Sequence, residues 1–282
     1  MIATPASIVR PDQREIALAL RLLAPWRAFT DPMFVGLEHI PDDRPLLLVG
    51  NHTLFGLLDA PLLFAEVYRR KGILLRALGD HAHFKIPVWR DLLTRFGTVD
   101  GTRENCARLM AAGEALLVFP GGAREVAKRR GEKYQLMWKE RLGFARLALR
   151  HGATIVPFAA VGAEDAYDVV LDADDVMASP IGPLLRKLRV RSDVIMPLVR
   201  GVAGPLPRRE RFYFAFRPPV PTAGLGGDSD AAATALRDLV RAEVEAGIAD
   251  LLAIQAADPG RRPGRQGTVM RGRGRSTPPG RP

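Results

Sequence analysis

Four short apolar runs set the outline of this chain: Pro45-Leu-Leu-Leu-Val-Gly50, Ile73–Leu78, Ala115-Leu-Leu-Val-Phe119 and Thr154-Ile-Val-Pro-Phe-Ala-Ala-Val161. Each has the length of a strand; Ile73–Leu78 is a strand candidate, and the continuous runs at 45–50 and 115–119 read as buried strands. Helical patterns lie between them, over about 60–70, 87–95, 104–113 and 139–151. Strands alternating with helices predict an α/β fold with a mostly parallel sheet flanked by helices. Two further elements lie beyond the fourth run. Arg211–Phe216 reads as a late strand, placed at a sheet edge by Pro218-Pro219. Residues 229–255 read as a helix, with Leu236, Leu239, Val240, Val244, Ile248, Leu251 and Leu252 recurring at three- and four-residue steps.

Ahead of the first run, residues 12–29 carry Ile16, Leu20 and Leu23 on one helical face, and Pro25 predicts an end or a kink. Trp26 and Phe29 beside Arg21 and Arg27 suit a membrane interface; the alternative is an amphipathic helix packed on its own domain. Pro180–Arg191 is basic and apolar together, which suits a surface touching anionic lipid; the alternative is an ordinary solvated loop and helix. Trp89, Trp138 and the Phe212–Phe216 aromatics are expected in the core. Glu164, Asp165 and Asp168 are expected to be solvated loop charges. The expected organisation is an N-terminal amphipathic helix over 1–29, one domain over 30–256 and a disordered basic tail over 257–282.

Hydrophobic residues make up 47% of the chain, enough for a sizeable core. The net charge is +10, but residues 259–282 hold seven arginines and no acid, so the body is only mildly basic. With no nucleic-acid motif in that body, no specific nucleic-acid partner is expected. The single cysteine, Cys106, cannot form an internal disulfide and fits a reducing compartment. No basic-then-apolar leader and no run of eighteen apolar residues is present, so the expected location is cytoplasmic and peripheral on a membrane. Gly-x-Ser-x-Gly and Gly-x-Gly-x-x-Gly patterns are absent, which argues against a serine hydrolase and a dinucleotide enzyme. Asp80-His81-Ala82-His83 has metal-ligand residues but no second His or Cys cluster to complete a site, so no metal is expected.

The chemistry concentrates in two stretches. Val49-Gly-Asn-His-Thr-Leu-Phe-Gly-Leu-Leu-Asp59 places His52 and Asp59 just beyond a predicted strand, on the edge where α/β sheets bind ligands. A neutral imidazole takes a proton from a hydroxyl, and a carboxylate on its other nitrogen fixes the tautomer. Seven residues of regular helix span about 10 Å, so Asp59 serves His52 only if the chain bends near Gly56. Otherwise another carboxylate, such as Glu125, takes that place. The second stretch, Val118-Phe-Pro-Gly-Gly-Ala-Arg-Glu-Val126, comes after another predicted strand and is expected to form the facing wall.

Taken in order, Asn51-His52 with Asp59, Gly97-x5-Arg103, Phe119-Pro-Gly-Gly-Ala-Arg124 and Ile155-Val-Pro157 resemble the four blocks of the glycerolipid acyltransferase family, the 1-acylglycerol-3-phosphate acyltransferases and their relatives. The resemblance covers about residues 45–160. Its wording is most similar to the branch with diacylglycerol acyltransferase-type enzymes and phytyl ester synthases. It implies transfer of an acyl group from coenzyme A or acyl carrier protein to the hydroxyl of a glycerolipid or other lipid alcohol at a membrane surface. No cofactor and no covalent acyl-enzyme are implied. His52 would be the general base and Asp59 its orienting acid. Arg103 and Arg124 would line a phosphate pocket, and Gly121 and Gly122 would let the backbone approach the substrate. Asn51, Gly97, Pro120, Glu125 and Pro157 complete the implied substrate-binding set. The common third block reads Phe-Pro-Glu-Gly-Thr-Arg; here Gly121 and Ala123 replace its Glu and Thr, which thins the polar grip on a glycerol phosphate and admits a neutral acceptor beside a phosphate-bearing one.

Overall fold

The computed structural model describes residues 10–79, 83–225, 227 and 229–261. The elements run α1 (Gln13–Thr30), β1 (Met33–Val35), β2 (Leu46–Gly50), α2 (Ala60–Lys71), β3 (Leu75–Gly79), α3 (Pro87–Arg95) and β4 (Val99–Asp100). Next come α4 (Arg103–Ala111), β5 (Ala115–Val118), α5 (Ala123–Val126), α6 (Gly143–His151) and β6 (Thr154–Val161). The chain continues through β7 (Asp168–Leu171), α7 (Ala173–Ala178), α8 (Gly182–Lys187), β8 (Leu198–Arg200), β9 (Tyr213–Phe216) and α9 (Asp230–Ala257).

Seven strands form one sheet in the order β1-β9-β6-β2-β5-β3-β4. The five from β6 to β4 are mutually parallel; β9 runs antiparallel to β6, and β1 parallels β9. The continuity of the apolar runs has a simple cause. On β2, Leu47 and Val49 face a core built with α4, α6 and α9, while Leu46 and Leu48 face a second core built with α1 and α2. Side chains alternate along a strand, so a strand covered on both faces is apolar at every position. Trp138 and Phe212–Phe216 lie in these cores as expected; the Trp89 side chain and the tail beyond residue 261 lie outside the described residues.

Three expectations change. Residues 213–216 do not form an edge strand: the three-residue β1 pairs on their outer side. Of the end or kink expected at Pro25, the end is not found: α1 is opened by a capping box between Asp12 and Glu15 and runs on through Pro25 to Thr30. A proline inside a helix costs about 3 kcal/mol. Here the turn around it is held from outside, because the Trp26 indole donates to the Leu58 carbonyl at 2.7 Å and packs edge-on against Phe212. That also turns Trp26 inward, where the first of its two readings had it at a membrane interface. Arg27 likewise points in, to the buried Glu66 at 2.7 Å. Third, Glu164 is not a solvated loop charge. It is buried beyond β6 in an ion pair with Lys128, and Asp165 accepts the Tyr134 hydroxyl at 2.7 Å. The neighbouring acidic run behaves locally: Asp172 caps α7, and Asp174 and Asp175 pair with Arg129 and Arg130.

Candidate active site

β2 and β5 end nearly level, with Val49 in register with Val118, while β6 pairs with β2 up to Phe158 and runs on to Val161, beside the segment that leaves β2. The segments leaving β2 and β5, Asn51-His52 and Phe119–Gly122, are therefore brought together beside the end of β6. Asn51 is fully buried and spends its amide on β6, donating to the Ala160 carbonyl at 2.9 Å and accepting the Ala160 N–H at 2.8 Å. It clamps the strand ends together. Pro157 is buried within β6.

The partly exposed His52 imidazole lies flat on the Phe119 ring, with centroids 3.8 Å apart and planes 6° apart. It also presses on Gly56, where a Cβ would stand 2.1 Å from the imidazole Cε1. Phe55 and Gly56 both have left-handed backbone, at φ 62° and 63°. The segment after His52 is thus a turn, tied by Gly56 N–H to the Thr53 carbonyl and by Phe55 N–H to the Val126 carbonyl. The chain after His52 therefore bends instead of running on as a helix. Asp59 then opens α2 and accepts the Ala60 N–H at 2.8 Å. Burial pushes its carboxyl up to about 6, against the pull of Thr53 and of backbone N–H groups.

Phe119-Pro-Gly-Gly122 is a tight turn closed by Gly122 N–H to the Phe119 carbonyl at 3.0 Å. Glu125, on the one-turn α5, is fully buried. One of its oxygens accepts the His52 backbone N–H at 2.8 Å and the other the Met137 N–H at 2.9 Å. Burial pushes this carboxyl up to about 7, against the nearby Lys128 charge. Arg124 is buried too, and its guanidinium is engaged by Glu132 and the Ala127 carbonyl. Those bonds make it a brace for the loop beyond α5. Sequence reasoning missed Arg141. It donates to the Pro120 carbonyl at 2.6 Å, and its Nη1 lies 3.1 Å from where a Gly122 Cβ would be. Nothing in the spacing of a residue so far along the chain signals that contact.

Arg103 is exposed at the first turn of α4, on the same edge of the sheet. Three strand spacings separate β2 from β4, about 14 Å. Gly97 is away from His52, packed between Pro11 and the buried Arg76. Cys106 is buried, and desolvation pushes its thiol up to about 11, so it is a poor nucleophile at neutral pH. Among the described residues no group of three or more His, Cys, Asp or Glu is placed to hold a metal; most of the Asp80–His83 run lies outside them.

Residues 32–161 match the Acyltransferase family model. The chain is 38% identical to phytyl ester synthase 1, chloroplastic, of Arabidopsis thaliana over 247 residues, 79% of this chain and 34% of that protein. It is 36% identical over 122 residues to the human DGAT1/2-independent enzyme synthesizing storage lipids, 43% of this chain and 37% of that protein. The chain thus spans about a third of the length of these relatives. Its fold is similar to the crystal structure of the 1-acyl-sn-glycerophosphate (LPA) acyltransferase PlsC from Thermotoga maritima, with a TM-score of 0.52, 18% identity, 87% of this chain and 85% of that chain covered. Residues 32–161, from β1 to the end of β6, are a domain of the acyltransferase family.

Proposed function

We propose that this chain transfers an acyl group from a thioester, of coenzyme A or of acyl carrier protein, to the hydroxyl of a lipid alcohol, with His52 as general base. One observation carries the reading. The imidazole stands at the carboxyl end of the central strand β2, held against Phe119 and Gly56 yet partly open to solvent. A base so held is oriented before substrate arrives, which lowers the entropy cost of the reactive geometry. His52 takes the acceptor's proton as the hydroxyl oxygen attacks the thioester carbonyl. The tetrahedral intermediate collapses, the C–S bond breaks, and the imidazolium returns the proton to the departing thiolate. The products are an ester and a free thiol. Asp59 is assigned the orienting role on the family's pattern. Arg103 is the exposed cation on the same edge and suits a phosphate at the far end of an extended substrate.

The acceptor is proposed to be presented at a membrane surface. Leu18, Leu22 and Phe29 on α1 and Val88, Leu92 and Phe96 on and just after α3 are exposed at helical spacing, beside Arg14, Arg21, Lys85 and Arg90. Glu15 on α1 bonds Arg95 on α3 at 3.0 Å, so the two helices adjoin. Apolar stripes rimmed by basic residues suit an anionic lipid interface. Among the described residues no helix is long and apolar enough to cross a membrane.

The test is transfer from labelled acyl-coenzyme A and acyl carrier protein to lysophosphatidate, diacylglycerol, monoacylglycerol and long-chain alcohols, with His52→Ala and Asp59→Asn beside wild type. A labelled ester that disappears with His52→Ala supports the reading, and the preferred acceptor names the substrate class. Undiminished transfer by a folded His52→Ala protein removes His52 from the mechanism. No product with either donor leaves a lipid-binding protein of the same fold.

A further inference from the structure

Glu125 ties three separate segments together. Its Oε2 accepts the N–H of His52, just beyond β2, and its Oε1 accepts the N–H of Met137, which precedes α6. Between these two bonds its side chain lies on the turn after β5. A Cβ at Gly121 would stand 2.0 Å from the Glu125 Cδ and 2.4 Å from Oε2. Gly121 does not have the left-handed backbone that its neighbour Gly122 has. What glycine supplies at 121 is therefore room, and Glu125 fills that room. Both contacts act on the parts that hold the imidazole: Oε2 fixes the His52 main chain, and Cδ rests on the turn beginning at Phe119, whose ring stacks on His52.

We propose that Glu125 is a positioning residue of the reaction: as a carboxylate it accepts both N–H groups at once and so keeps the His52 imidazole in its slot between Phe119 and Gly56. The role rests on His52 being the base. A carboxylate is the only side-chain group of this length with two acceptor oxygens. Protonation turns one oxygen into a donor and sets it against an N–H, and a glutamine does the same permanently. Burial alone predicts only a stability effect for such a change. Positioning predicts an effect on turnover with binding preserved.

Four measurements decide it. Glu125→Gln, shown folded by circular dichroism and melting, is expected to lose about tenfold or more in kcat with KM within about twofold of wild type. In wild type, acid inactivation of kcat/KM is expected to steepen towards the slope of two protonations, His52 and Glu125; in Glu125→Gln it is expected to show the slope of one. A double variant, Gly121→Asp with Glu125→Gly, returns a carboxyl carbon about 1.5 Å beyond the new Cβ, close to where Cδ stood, and is expected to recover part of the lost kcat. Amide NMR of the unmutated protein needs no variant to fold: the His52 and Met137 N–H resonances should titrate together near neutral pH. The proposal is overturned if those two amides do not move together, or if folded Glu125→Gln keeps wild-type kcat and pH profile. It is equally overturned if the double variant folds without regaining turnover. His52→Ala separates the two levels: activity retained there removes the base itself, whereas an inactive His52→Ala beside a fully active Glu125→Gln removes only the positioning role.

Discussion

The imidazole of His52 and the ring of Phe119 are stacked at 3.8 Å and within 6° of parallel, although 67 positions separate them in the chain. The contact joins the two halves of the site. Phe119 is itself braced edge-on by Phe158 from β6, so the imidazole rests on a surface continuous with the core.

Phe119→Leu keeps an apolar side chain there but removes the flat surface. Stacked aromatic contacts are worth about 0.5–1.5 kcal/mol beyond their area. If that energy holds the base in its reactive orientation, kcat should fall by a few-fold up to about tenfold, while the melting temperature changes little and KM stays near wild type. Steady-state kinetics with a soluble acceptor check this; an unchanged kcat would separate the stack from catalysis.

A pH dependence of stability arises from burial. Asp59 and Glu125 titrate near 6 and 7, above ordinary carboxyls, because desolvation penalises their charged forms. The native state therefore holds these protons more tightly than the unfolded chain. Their contribution is fully present below about pH 4 and is lost as the pH rises through 6 to 7. For a carboxyl raised from 4.5 to about 7 the loss is roughly 3 kcal/mol. Thermal melts from pH 5 to 8 should show Glu125→Gln with a flatter slope than wild type. Parallel slopes would remove Glu125 as a source of the dependence.

Much of this architecture is legible in the sequence. The apolar runs mark β2, β3, β5 and β6 because both sheet faces are covered, and the loops after β2 and β5 are recognisable as facing stretches. The edge strands are not legible, since β1 and β4 are three and two residues long and carry no periodicity. Gly121 reads as the loss of a polar group; in three dimensions Glu125, four positions on, folds back into that space. Arg124 reads as a phosphate contact because nothing local reveals Glu132 as its partner. Leu239 fits the apolar period of α9 yet is exposed, and the guanidinium of the buried Arg237 turns to the Lys139 carbonyl at 2.8 Å. Periodicity finds a helix face only to within about one residue's rotation.

Behind the site, Lys128 and Glu164 form an ion pair with side chains only 3% and 2% exposed, and Glu164 also accepts the Tyr134 N–H at 2.7 Å. Lys128→Met leaves Glu164 buried without its cation. Breaking such a pair from one side costs about 3–5 kcal/mol. The cost should shrink towards pH 5, because Glu164, whose carboxyl burial already raises, can then take up a proton. Chemical denaturation at pH 7.5 and pH 5 measures both effects. An equal loss at both values would show that the lysine contributes through packing rather than charge.

The apolar stripes on α1 and α3 give the last prediction. Leu22 is 68% exposed and Val88 82%, so replacing either with glutamate removes almost no packing from the folded chain. At a lipid surface the same change loses roughly 1.5–3 kcal/mol of apolar burial per site and adds a charge that anionic headgroups repel. Leu22→Glu with Val88→Glu should therefore leave melting unchanged and cut sedimentation with anionic vesicles by about tenfold or more. Transfer to a vesicle-borne acceptor should fall with it, and transfer to a short-chain soluble acceptor should not. Equal loss on both acceptors would place these side chains in the substrate path, and undiminished vesicle binding would move the membrane face elsewhere, with the exposed Ile181, Leu184 and Leu188 around α8 next to be substituted.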